Sequence, residues 1–198
     1  MNKDVERRAF DTDEFRVEGE AEERSIVGHA ALFDTLSADL GGFREKIDKG
    51  AFDNADNNDV RALFNHDPNL VLGRNTAGTL LLDEDEKGLR VKINPPDTVF
   101  ANDLMKSIDR GDISQMSFGF RVKEDEWEKG KGDEPSVRTL KKVELFDVSP
   151  VTYPAYKQTD VGVRSLNDVA EEGRKRLSDR KAVNYSNYEN IQLHAEKQ

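Results

Sequence analysis

Apolar positions along the chain fall in short runs separated by turn residues, a pattern of many short strands with one helix. The first convincing strand is SIVGHAAL, Ser25 to Leu32. A loop rich in Asp, Gly and Ser follows, and FREKIDKGAF joins a polar strand-like piece to a turn. DNADNND, Asp53 to Asp59, has pure turn-and-cap composition. Val60 to Phe64 is then a short strand that delivers Asn65 and His66 at its end, before a turn at Asp67 and Pro68. The segments VLGR, GTLLLDED and GLRVKINPP are consecutive strands of an antiparallel meander. The clearest helix runs from Thr98 to Arg110. Asp97 or Thr98 can cap it, Val99, Phe100, Leu104, Met105 and Ile108 form its apolar stripe, and Gly111 stops it. ISQMSFGFRV is a strand, KEDEWEKGKGDEPS a charged excursion expected as a long hairpin loop, and RTLKKVELFDV the returning strand.

Composition divides the chain. Residues 1–23 are dense in Asp, Glu and Arg with little periodicity and read as a loose N-terminal arm, and residues 24–160 form the domain. Residues 161–198 read as a polar helix or disordered tail with too little apolar content to pack alone. The net charge of -10 speaks against general affinity for nucleic acid and against adsorption to an anionic membrane. No run is long and apolar enough for a membrane span, and MNKDVERRAF lacks the apolar core of a signal peptide. With no cysteine, disulfides, thiolate metal sites and a cysteine nucleophile are excluded together. There is no HExxH, the three histidines are scattered, and neither a metal nor a cofactor is called for.

The strand around Ser117 carries the candidate chemistry. Alternation puts Ser114, Met116, Phe118, Phe120 and Val122 on an apolar face, and Gln115, Ser117 and Gly119 on the other. The second face is small and polar, so it reads either as solvent-exposed edge or as room for another chain to approach the Ser117 hydroxyl. A serine nucleophile needs a neighbouring base. His194 lies in the tail, and His29, within an apolar strand, reads as a satisfied core or edge histidine. His66 has a fixed position at a strand end with one side free. For a third group to orient the imidazole, Glu144 and Asp147 compete, and their odd spacing predicts opposite faces of one strand. From the residues alone a Ser/His/acid set is one option among several.

The blocks LFNHDPNLVLGR, DISQMSFGFRV and VELFDVSPVTYPAY, in that order, resemble the prohead protease family of tailed bacteriophages. The upstream GHAALFDTLSADLGGFREKIDKGAF is similar to the start of that family, and the resemblance covers about residues 24–160. It implies a serine endopeptidase that cleaves scaffold and major capsid protein segments, and itself, during head maturation. It also implies a mainly β (α+β) fold with flanking helices, an assemblin-like small antiparallel β-barrel. By the same resemblance His66 is general base and then acid, Ser117 the nucleophile, and Asp147 the favoured third member with Glu144 as alternative. An extended substrate would lie against Gln115 and Gly119. The implied partners are the major capsid protein with its scaffold segment and portal protein, with a homodimer or higher oligomer left open, inside the assembling prohead in the bacterial cytoplasm. The alternative reading is a non-catalytic, protease-like assembly factor that binds scaffold or portal.

Overall fold

The structure, a computed structural model, describes residues 5–153 apart from 12–13, 21–23, 54, 56–57 and 133. The segment read as a polar tail, and His194 within it, lies outside the described residues. Among the described residues ten strands and one α-helix build the fold: β1 (Glu6–Asp11), β2 (Arg16–Glu18), β3 (Ser25–Leu32), β4 (Phe43–Ile47), β5 (Arg61–Phe64), β6 (Asp67–Arg74), β7 (Leu80–Glu84), β8 (Gly88–Ile93), α1 (Val99–Asp109), β9 (Gln115–Glu128) and β10 (Ser136–Val151). The mainly β expectation holds. The strands pair as two sheets, one in the order β1-β9-β10-β5-β6 with β4 also on β10, the other β2-β3-β8-β7. Neither ladder closes on itself among the described residues, so no closed barrel is formed there.

The two sheets share one core. Met116, Phe118 and Phe120 of β9 are fully buried, with Ile26 of β3 and Leu89, Val91 and Ile93 of β8 in the same cluster. Phe118 stacks on Phe120 at 4.8 Å between ring centroids and meets Phe52 edge-on at 5.5 Å. Burying each such ring stabilises the fold by about 1.5–3 kcal/mol. The helix begins where the sequence places it: the Thr98 hydroxyl accepts from Ala101 N, and Gly111, with φ 79°, closes the end through its N–H to Ile108 O. Its buried face is Ala101, Leu104, Met105 and Ile108, whereas Val99 is exposed because it lies in the first turn, outside the stripe.

Three sequence expectations change. Two pieces of the N-terminal segment read as a loose arm are strands: β1 pairs along β9 and β2 pairs along β3. Phe10 anchors β1 against Phe118, and Arg8 reaches the buried Glu45 at 2.8 Å. Arg138 joins the same group through Glu6 and Glu45. Burial, the largest influence on Glu45, holds its carboxyl above the usual range against the pull of these arginines. Half of the charged excursion is strand as well. Strands β9 and β10 run on to Glu128 and from Ser136, with Trp127 opposite Arg138 and Asp125 ion-paired to Arg138 at 2.7 Å. Third, Asp67 and Pro68 do not form the turn but begin β6, a strand at the end of its sheet where a proline is tolerated.

Candidate active site

Strands β9 and β10 lie side by side in antiparallel register, with Ser117 opposite Ser149 and Gly119 opposite Asp147. These four residues share one face, and the core rings of Phe118 and Phe120 point to the other. The register holds an irregularity. Leu145 pairs with Phe120 and Asp147 with Gly119, so Phe146 is an extra residue, a β-bulge. The bulge resets the alternation of β10. Core residues run Val143, Leu145, Val148, and Glu144, opposite Arg121, comes to the same face as Asp147. The expectation that odd spacing separates the two carboxylates therefore fails.

The imidazole arrives from the far side of β10. Strand β5 pairs parallel with β10 at Asp147 and Val148, and it hands the chain to Asn65 and His66. Phe64 pairs with Asp67, which leaves Asn65 and His66 as a two-residue hairpin loop with φ values of 53° and 57°. Both residues are in the left-handed region, the geometry of a type I′ turn, which asparagine tolerates better than most side chains. Asn65 N donates to Pro150 O at 3.0 Å, and its side-chain oxygen accepts from Thr152 N at 2.9 Å. The turn is thus pinned to the end of β10, and the imidazole swings back over the strand.

His66 Nε2 lies 2.7 Å from Ser117 Oγ, and His66 Nδ1 lies 2.5 Å from Asp147 Oδ1. An ionised carboxylate only accepts, so Nδ1 carries the proton and Nε2 is left to accept from the serine hydroxyl. Ser149 Oγ donates to the same Asp147 oxygen at 2.8 Å and lies 3.4 Å from His66 Nδ1. Ser117 and Ser149 are fully buried, and Asp147 is 8% exposed. Gly119 is required here because a Cβ at that position would overlap Asp147 Oδ2.

Of the sequence candidates, His66, Ser117 and Asp147 are brought together. Glu144 is held elsewhere, in ion pairs with Lys123 at 2.6 Å and Arg121 at 2.8 Å, and the Lys123 bond chiefly draws its carboxyl below the usual range. Asp67 is turned to Asn69, whose backbone N–H it accepts at 2.9 Å. His29 is a buried histidine partnered by Asp85 at 2.8 Å, as a core or edge position would have it. On the face expected to be open at Gln115 and Gly119, Asp147 fills the space beside Gly119, and Ser117 is fully buried. Ser149, Gly119 and Asn65 were missed in these roles. The only signal in the sequence was proximity: Gly119 and Ser149 stand two positions after Ser117 and Asp147, and Asn65 adjoins His66.

A hydroxyl and a carboxylate on two paired strands, joined in series by an imidazole from a neighbouring hairpin turn, are the arrangement by which serine hydrolases activate a nucleophile. Residues 10–172 match the family model of the caudovirus prohead serine proteases. The chain is also 30% identical over 182 residues to the prohead protease of Enterobacteria phage HK97, covering 85% of this chain and 76% of that one. No solved structure matches. The chain belongs to the caudovirus prohead serine protease family and is a serine protease of phage head maturation. Among the described residues no helix is long and apolar enough to cross a membrane.

Proposed function

We propose that Ser117 is the nucleophile of this protease, with His66 as its base and Asp147 as the group that holds the imidazole. The observation that supports this reading is the unbroken series Ser117 Oγ–His66 Nε2 and His66 Nδ1–Asp147 Oδ1, at 2.7 and 2.5 Å. In attack on a peptide carbonyl the Ser117 proton passes to Nε2 as the Oγ–carbon bond forms. Asp147 stays ionised and stabilises the imidazolium. The imidazolium then gives its proton to the leaving amine, and water resolves the acyl-enzyme by the same steps in reverse.

The substrate is the scaffold segment of the major capsid protein, reached inside the assembling prohead in the bacterial cytoplasm. The protease's own chain beyond residue 160 is a second substrate, rich in charge and poor in apolar residues. Portal protein is a further partner, and formation of a homodimer or higher oligomer belongs to the same reading. Ser117 is fully buried and β9 has β1 on its free side, so a peptide reaches the hydroxyl only after local opening. That requirement suits an enzyme held inactive until assembly.

The test is expression with capsid protein, comparing wild type with Ser117→Ala by intact-mass spectrometry. Wild type is expected to process scaffold and to lose a defined C-terminal piece, and Ser117→Ala to do neither. Equal processing by both would overturn the assignment.

A further inference from the structure

We propose that Ser149 is a positioning residue for the catalytic acid: its hydroxyl shares Asp147 Oδ1 with the imidazole and fixes the carboxylate against His66. This rests on the reading of Ser117, His66 and Asp147 given above. Oδ1 receives two donors, Ser149 Oγ at 2.8 Å and His66 Nδ1 at 2.5 Å. Ser149 is fully buried, so water does not replace its hydrogen bond when the site is at rest.

The reason for a second donor lies in the backbone. Asp147 directly follows the bulge at Phe146, where the ladder is irregular. A carboxylate there has a rotatable side chain on a backbone that lacks one regular pairing. Two features of the neighbouring strand positions restrain it. Gly119 opposite leaves the space for Oδ2, and Ser149, two residues on and on the same face, supplies a donor to Oδ1. Ser149 is itself the cross-strand partner of Ser117, so one pair of opposed serines places the nucleophile and the tether of the acid at the same level of the ladder. The hydroxyl also distributes the carboxylate's charge. With it removed, His66 alone donates to Oδ1, and the imidazolium persists to higher pH.

The test uses the full chain co-expressed with capsid protein and a fluorophosphonate probe that labels an activated serine. For Ser149→Ala the maximal labelling rate is expected to fall roughly ten- to a hundredfold, the worth of a hydrogen bond to a charged group. The probe concentration at half-maximal rate should stay the same, and the acid limb of the rate–pH profile should move to higher pH. A residue that only fills space would leave that limb in place. Wild-type labelling at Ser117 with an unchanged rate and unmoved limb in Ser149→Ala overturns the role of Ser149 and leaves the triad standing. Absence of labelling at Ser117 in the wild type overturns the triad, and the role of Ser149 falls with it. If Ser149→Ala does not fold, proton NMR of the wild type decides. A Ser149 hydroxyl proton protected from exchange and close to the His66 Nδ1 proton is expected, and one that exchanges freely with solvent rejects the proposal.

Discussion

Asp147 stands directly across the β9–β10 ladder from Gly119, and its carboxylate occupies the space in which a side chain at residue 119 would begin. The glycine is needed there because Oδ2 comes close to the backbone of β9. Gly119→Ala therefore forces the carboxylate away from His66. A displacement of about 1 Å is expected to lower the rate on the order of a hundredfold, with a stability loss of about 1–3 kcal/mol from overpacking. Labelling of Ser117 measured beside thermal unfolding separates the two effects. Full labelling in Gly119→Ala would mean that the carboxylate has another way to reach the imidazole.

The two carboxylates of β10 share a face but not their partners. Asp147→Asn keeps the shape and replaces an obligatory acceptor with an amide, which permits the wrong imidazole tautomer; a loss on the order of 10⁴-fold is expected. Glu144→Gln removes only the partner of Lys123 and Arg121, about a quarter exposed, so activity should hold and stability change by no more than about 0.5 kcal/mol. Scaffold processing by both variants in parallel is the measurement, and the reverse ranking would move the acid to Glu144.

The hairpin that carries His66 has a charge requirement at its base. Arg61 and Arg74 are cross-strand partners, and Asp59 pairs with both, with Arg74 at 2.6 Å and Arg61 at 3.0 Å. The Arg74 hydrogen bond chiefly, with Arg61, lowers the Asp59 pKa from 3.8 to about 2. A lowered folded pKa means that the unfolded chain takes up the proton first as pH falls. The stabilising contribution is thus complete above pH 3.8 and is lost as the pH drops towards about 2. Asp59→Asn is expected to flatten acid unfolding in that window and to leave two like charges opposed at neutral pH. Because the pair is exposed, added salt should shrink the difference. Denaturant titrations across the window check it, and identical pH dependence in the two chains would refute it.

The limits of the sequence follow from what each signal measures. Alternation around Phe118 and Phe120 made the serine strand and its core face legible, since period-two burial is written residue by residue. Thr98 and Gly111 marked the helix ends for the same local reason. The choice between Asp147 and Glu144 was not legible, because the extra residue at Phe146 has no composition of its own and yet shifts every later side chain of β10 to the opposite face. The order in N-terminal strand β1 was also hidden, because Arg8 and Phe10 find their partners at Glu45 and Phe118, far along the chain.

By itself, then, the sequence determined the mainly β character and the strand that presents Ser117, and three ordered blocks singled out His66 and Ser117 with two competing carboxylates, Asp147 and Glu144. Only the tertiary structure decided how they meet. A left-handed turn at Asn65 and His66 and one unpaired residue at Phe146 set the angles, and the Ser149 hydroxyl donates to the Asp147 carboxylate. These are relations between strands, fixed by register and packing, and no single stretch of the chain contains them.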